Sequence, residues 1–292
     1  YGSEAANGVV LITTKKGTRT QGLGVDVNYN YLVETPAFNP PFQNIYGPGY
    51  DRGTNQGSFG SDEDGWLTVD NPKYFNENGE YVTYNGSIRR PIYRSYAQFG
   101  PAFNGEDVIG WDNRIHPYVA QPDNWNNLFQ PGASSSLNVA LNKAGEFGNF
   151  RFSYNRLDYK PITRGSDHQR NTFNLNSTIN LHKNLKLDLT STWVNQHTLN
   201  RPYKISRVTN NFGGFLSRFD DAQWYLDNYQ TSKGYYYRTG SQESATPNEN
   251  IIYNIRAVDL LDYLWRTMKW QEDEYQNRLI ANATLTWKLF KD

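Results

Sequence analysis

The sequence has no cysteine. That excludes a disulfide framework, a thiolate metal site and a cysteine nucleophile. It also has no apolar run near the ~20 residues that a membrane helix needs. The longest aliphatic stretch is Val9–Ile12. A helical membrane protein is excluded on that ground, but a membrane β-barrel is not, because its strands alternate and dilute the hydropathy signal. Net charge is missing too: 29 Lys and Arg balance 29 Asp and Glu. A nucleic-acid partner wants a basic excess, so none is expected. The four histidines (His116, His168, His182 and His197) include no i, i+4 pair, and no metal site is expected from them.

Other absences are local. Gly22-Leu23-Gly24 lacks the third glycine and following helix of a dinucleotide fingerprint, so it reads as a turn. Asp62-Glu63-Asp64-Gly65 has the look of a calcium loop, but Gly60 and Asn71 stand where its first and last ligands belong. Asp62 and Asp64 therefore read as solvated loop residues. Asp220-Asp221 and Glu272-Asp273-Glu274 are runs of adjacent acids rather than a spaced catalytic pair, and they too read as solvated loop charge. No catalytic residue, cofactor or enzymatic activity is expected.

What the sequence has is aromatic residues and alternation. Aromatics make up 15%, in a chain only 37% hydrophobic with mean hydropathy −0.79. Val25–Val33 puts Val25, Val27, Tyr29, Tyr31 and Val33 on one face and Asp26, Asn28 and Asn30 on the other. That is a period-two strand of the length a tilted membrane strand requires. The pattern returns at Ser135–Lys143, Phe150–Tyr154 running on toward Tyr159, Thr172–His182, Leu185–Val194 and Asn277–Leu289. These predict six strands. Their polar faces are rich in Asn, Thr and Ser, which suits a face turned to a water-filled or plugged lumen.

The connections alternate in length. Ala144–Asn149 and His182–Asn184 are short turns. Glu34–Ala133, Lys160–Asn171 and Thr198–Gln276 are the loops, two of them long. Short turns at one end and long loops at the other fit a transmembrane barrel. Within the first loop, short strands are predicted at Glu80–Tyr84 and Ser87–Tyr93, and within the last, a helix near Ile255–Trp265. Trp66, Trp111, Trp125 and Trp224 lie in these loops among Asp, Asn and Arg, as in Gly110-Trp111-Asp112-Asn113-Arg114. Aromatics bordered by amides and carboxylates suit sugar faces and hydroxyls, and equally suit the private core of a large loop. Trp66, Trp111, Asp112, Asn113 and Trp125 are the candidate ligand-binding residues.

At the start, Ser3 can cap one helical turn over Glu4–Ala6, Asn7-Gly8 stops it, and Val9–Ile12 reads as a buried strand ending at Lys15-Lys16-Gly17. This wording, Tyr-Gly-Ser, then Ala-Ala-Asn-Gly-Val, then Thr-Lys-Lys-Gly, resembles the end of the plug domain in TonB-dependent outer-membrane transporters, most of all the SusC/RagA family of nutrient importers. Ser95–Asn113 (with FGPAFNGEDVIGWDN) is similar to the first long outer loop of that family. Pro122-Asp123-Asn124-Trp125, Leu128-Phe129 and Pro131-Gly132 resemble the run into its second strand. Phe150–Asp158, Arg170–Leu175 and Asn200-Arg201-Pro202 continue the likeness. Ser-Tyr-Ala-Gln at Ser95 and Lys160-Pro161-Ile162 depart from it.

The resemblance implies an all-β fold. Residues 1–20 would be the end of the plug and residues 21–292 the first six strands of an antiparallel transmembrane barrel of about 22 strands with long extracellular loops. It implies a chain that begins inside a longer protein, in the outer membrane of a Gram-negative bacterium. It implies import of oligosaccharides or peptides, a SusD-like surface lipoprotein as lid, contact with outer-membrane lipids, and energy from a TonB complex that is contacted through a segment absent here. The alternative is a soluble all-β glycan-binding or glycan-cleaving domain with its strands in a sandwich. On the barrel reading, Val27, Tyr29, Val139, Phe152, Leu175, Leu187 and Leu285 face lipid. Asn28, Asn138, Ser153, Asn174, Asp188 and Thr286 face the lumen.

Overall fold

The computed structural model describes residues 22–37, 41–49, 62, 64–91, 98, 100–201, 216–237, 246–249 and 255–289. The expected plug end over residues 1–20, with its strand at Val9–Ile12, lies outside the described residues. Among the described residues, no helix is long and apolar enough to cross a membrane.

Among the described residues, the chain forms β1 (Gly24–Glu34), then six short strands, then five long ones. The short strands are β2 (Trp66–Asp70), β3 (Lys73–Phe75), β4 (Tyr81–Thr83), β5 (Ser87–Pro91), β6 (Asp107–Ile109) and β7 (Ile115–Pro117). The long ones are β8 (Gly132–Gly145), β9 (Gly148–Lys160), β10 (Asp167–His182), β11 (Leu185–Leu199) and β12 (Asp273–Trp287). The helices are α1 (Asn124–Asn127), α2 (Ala222–Asp227) and α3 (Ile255–Lys269). One six-stranded sheet runs in the order β1-β8-β9-β10-β11-β12, with every neighbouring pair antiparallel. All six expected strands are therefore present and consecutive. The helix expected near Ile255–Trp265 is also there, and continues to Lys269.

Several strands are longer than the alternation predicts. β10 starts at Asp167 rather than Thr172, β11 runs to Leu199 rather than Val194, and β12 starts at Asp273 rather than Asn277. The loop expected over Lys160–Asn171 shrinks to residues 161–166. At the other end β8 and β9 are joined through Glu146 and Phe147, and β10 and β11 through Lys183 and Asn184. Gly148 has φ +131, and a Cβ there would lie 1.9 Å from the Thr178 carbonyl oxygen. The first of these turns thus needs glycine at that position.

The register gathers all the apolar faces onto one side of the sheet. Val27, Val139, Tyr154, Phe173, Trp193 and Leu279 are successive partners across the six strands. In this row the Tyr154 and Phe173 rings lie 4.9 Å apart, and Phe173 stacks on Trp193 at 5.1 Å. Many members of this side are exposed, among them Val25, Val27, Phe152, Leu175, Trp193, Leu279 and Trp287. The other side carries Asn28, Asn138 and Asn155 in one row and Asp26, Ser153, Asn174 and Thr192 in the next. Polar contacts bind that side together. Thr192 Oγ1 donates to Asn174 Oδ1 at 2.9 Å, Thr178 Oγ1 to Asp188 Oδ1 at 2.6 Å, and Arg151 pairs with Asp26 at 3.0 Å. Its apolar exceptions include Leu32, Ala140, Leu157, Tyr159, Val194 and Ile280.

The apolar side is slanted against the hydrogen-bond rows. On β1 it spans Val25 to Val33, on β8 Leu137 to Leu141, and on β9 Phe150 to Tyr154. On β11 it spans Leu185 to Trp193, and on β12 Leu279 to Trp287. The row of Val25 reaches β12 at Ala281, six residues short of Trp287, and the row that ends on Leu279 starts on β1 at Val27, six residues short of Val33. Both edges therefore drift six residues over five strand steps. At ~3.4 Å per residue and ~4.8 Å between strands, that is a tilt of about 40°.

The long connections fold onto each other beyond the opposite end from the turns. β2, β5, β6 and β7 form a small four-stranded sheet and β3-β4 a hairpin. One core joins Trp111, Trp125 and Leu128 of the first loop to Ala222, Tyr225, Tyr237, Leu260, Leu261 and Leu264 of the last. A second joins Trp66, Val108 and Tyr118 to Phe219. The two loops make one dome with a shared interior.

Candidate functional site

Arg218 is what clamps the two long loops together. It is 3% exposed. Its guanidinium donates to Asn44 Oδ1 at 2.8 Å, to the Pro122 carbonyl at 2.9 Å and to Asn124 Oδ1, and it lies over the Phe42 ring at 4.8 Å. Asn124 Nδ2 returns bonds to the carbonyls of Ser217 (2.7 Å) and Asp220 (3.1 Å). Burial lowers the Arg218 pKa from its ordinary value, opposed by the nearby Asp123 charge. Asp220 is fully buried and accepts from Tyr225 Oη at 2.5 Å. Asp221 accepts from the Gln223 amide at 2.9 Å and caps α2. The reading of this acidic pair as solvated loop charge is thus corrected: one carboxylate belongs to the core and the other to a helix terminus. Asp62 accepts from the amides of Asp64 and Trp66, at 3.0 and 2.8 Å, and so shapes the turn into β2.

Between the loops lies a cavity of about 430 Å³, a size that suits a small ligand. From the first loop it is lined by Phe75, Trp111, Asp112, Asn113 and Arg114, and from the last by Asp227, Asn228, Gln230, Ser232, Tyr237 and Glu249 among others. Asp112 is held by His116 Nε2 at 3.0 Å, and the His116 ring stacks on Trp224 at 3.7 Å. Asn113 sits at φ 56 in the turn between β6 and β7. It accepts from Arg90 at 2.9 Å and donates to the Asn248 carbonyl at 3.2 Å. Glu249 is fixed by Ser232, whose amide and Oγ donate at 2.8 and 2.5 Å, and by Tyr237 Oη at 3.2 Å. Burial raises the Tyr237 phenol well above its ordinary range, with help from the Glu249 charge. Among the described residues, two buried atoms at this wall, Trp111 Nε1 and Gln230 Oε1, have no hydrogen-bond partner. Such groups are scarce in folded proteins and cost ~1–3 kcal/mol each.

The structure brings three of the five candidate residues to the cavity: Trp111, Asp112 and Asn113. Trp111 is 4% exposed and packs on Tyr225 at 4.7 Å, so it serves the core and the cavity wall together. Trp66 and Trp125 are elsewhere. Trp66 is buried in the second core against Tyr118, with Arg89 over its ring at 4.5 Å. Trp125 packs on Phe129 at 5.2 Å in the first core. Both fill a loop interior, the second of the two roles the sequence allowed loop aromatics. Sequence reasoning missed Asp227, Gln230, Ser232, Tyr237 and Glu249. No motif marks them, and they meet Asn113 only because the last loop folds back across the first. Among the described residues, no group of three His, Asp or Glu is placed to hold a metal ion.

No protein-family model matches the chain, and no curated protein matches it.

Proposed function

We propose that this chain contributes the first six barrel strands of a TonB-dependent outer-membrane transporter of the SusC/RagA kind. The carrying observation is the slanted apolar band. Its tilt of about 40° falls within the ~35–45° of outer-membrane barrels. Eight residues along β1 or β12, at ~3.4 Å each and so tilted, cover about 21 Å of height, close to the ~25 Å apolar band of such barrels. Several of its members on β1, β11 and β12 are exposed side by side, among them Val25, Val27, Tyr29, Trp193, Leu279 and Trp287, and a contiguous exposed apolar face of this kind marks a membrane or interaction surface. The short turns then lie at the periplasmic end and the loop dome outside.

On this reading the chain performs no chemistry on its ligand. An oligosaccharide or peptide is captured under a SusD-like lipoprotein, and the cavity between the long loops offers amides, hydroxyls, carboxylates and the Trp111 and Phe75 rings to it. Entry follows movement of the plug when the TonB complex pulls.

Two measurements on the protein in its native cells test this. A membrane-impermeant thiol reagent labels Cys at Ser232 and not at Lys183, both exposed in the fold, and labelled oligosaccharide or peptide enters only when the inner membrane is energised. Labelling at Lys183 but not Ser232 inverts the topology. Uptake unaffected by deletion of the protein or by de-energisation removes the transport role.

A further inference from the structure

The cavity between the long loops carries more negative charge than positive. Among the described residues, Asp112, Asp227 and Glu249 line it against one guanidinium, that of Arg114. Asp112 is answered by His116 Nε2 at 3.0 Å and by the Arg114 amide at 3.1 Å. Asp227 and Glu249 have neutral donors only. Asp227 accepts from Gln223 Nε2 at 2.6 Å, and Glu249 accepts from Ser232 and Tyr237. Among the described residues, no cation pairs with either carboxylate. The Arg114 guanidinium is occupied elsewhere, donating to the Asn76 carbonyl at 3.2 Å. Carboxylates without a counterion in a walled site draw in a cation.

The groups around them say which kind. Among the described residues, no three acids stand close enough to hold a metal ion, so an organic cation fits better than an inorganic one. The two orphaned atoms of the wall are one acceptor, Gln230 Oε1, and one donor, Trp111 Nε1. A ligand that answers both carries a donor and an acceptor close together. The free end of a peptide does so: its ammonium is all donor, and a carbonyl follows at once. A neutral sugar would look instead for an open ring face. Trp111 and Tyr237 are 4% and 6% exposed. Trp111 lies against Tyr225, and Phe75 packs on Tyr81 at 4.9 Å with Arg114 over its ring at 5.8 Å. Rings already packed in this way leave little face for stacking.

We propose that this cavity binds the free α-ammonium end of an oligopeptide. Asp227, Glu249 and Gln230 are the acceptors, and Trp111 Nε1 donates to the first peptide carbonyl. The inference rests on the cavity being a ligand site, as read above, and narrows its ligand from oligosaccharide or peptide to peptide. An amino sugar brings the same ammonium, and the test separates the two.

The full-length protein, purified in detergent, is dialysed against a pool of random pentapeptides, the same pool N-acetylated, or a glucosamine pentamer, and bound ligand is counted. The wild type binds the free pool at least about tenfold more tightly than the acetylated pool, a difference of ~1.4 kcal/mol, and the glucosamine pentamer no better than the acetylated pool. The preference shrinks as salt is raised. Asp227→Asn/Glu249→Gln keeps the volume of both side chains, removes both charges and abolishes most of the preference. Asp227→Asn alone, at an exposed position, lowers it in the same direction if the double variant does not fold. Equal binding of the two pools, a preference untouched in folded variants, or tighter binding of the glucosamine pentamer overturns the proposal. Energised uptake is a separate readout: a preference that persists in a protein whose uptake ignores de-energisation keeps the ammonium site and removes the transporter.

Discussion

Arg218 is the residue on which the loop dome turns. Its side chain bridges Asn44 and Asn124 of the first loop from a position in the last. Arg218→Met keeps much of the volume and removes every donor, leaving the buried Asn124 Oδ1 facing an apolar chain while the exposed Asn44 Oδ1 turns to water. At ~1–3 kcal/mol for a stranded buried group, the dome should lose roughly 1–3 kcal/mol. Hydrogen exchange checks this: faster exchange at 107–109, 124–128 and 222–227, with β9 to β11 unchanged. Uniform protection of the loops in the variant would show that the clamp is dispensable. A second residue-scale prediction concerns alkali. Burial raises Tyr263 to about 12, and burial with the Asp262 charge does the same for Tyr236. A phenol raised in the fold contributes stability that is whole below its ordinary value of 10 and is lost as pH climbs from about 10 toward about 12. Protease cleavage of the dome should therefore accelerate across that interval, together with tyrosinate absorbance. A cleavage rate that stays flat while tyrosinate forms would contradict it.

At the scale of elements, the alternation found each long strand but not its outer end. β10, β11 and β12 each run four or five residues further toward the loops than their apolar periodicity does. The reason is physical: beyond Phe173, Trp193 and Leu279 both faces of the sheet are polar but for Val194 and Leu199 on β11 and Tyr275 on β12, so the ladder continues where hydropathy carries no period. The same argument explains the mistaken loop at 160–171. The loop dome was less legible still. Its cores join residues about a hundred positions apart, such as Trp111 with Tyr225 and Tyr118 with Phe219, and no local pattern reports such a pairing. The acid at Asp220 was misread because a buried carboxylate and a solvated one look alike in sequence. The turns, by contrast, rest on single residues. Gly148→Val places a branched side chain where a Cβ would already overlap the Thr178 carbonyl. It should destabilise the β8–β9 hairpin by more than ~1 kcal/mol. A lowered yield of folded protein in the membrane, with Gly145→Val close to wild type because a Cβ there meets nothing within 4 Å, is the expected pattern.

For the whole molecule, the claim that organises the rest is that one side of the six-stranded sheet meets lipid. The sequence supports it by alternation, and the register supports it by stacking the six apolar faces in one slanted band. The proposed placement of the loop dome outside, with the cavity between its loops open to ligand, follows from that orientation. The most direct measurement is a nitroxide scan along β10, from Asn171 to Ile179, in the protein reconstituted in vesicles. The absence of native cysteine makes single-site labelling direct. Collisions with oxygen, which partitions into lipid, and with a water-soluble nickel complex are read at each position. The account predicts a period of two, with Phe173, Leu175, Ser177 and Ile179 open to oxygen and shielded from nickel, and Asn174, Asn176 and Thr178 the reverse or closed to both. Nickel access at Phe173 and Leu175 equal to that at exposed Ser232, or an alternation with the opposite parity, would mean that this side of the sheet does not face a membrane.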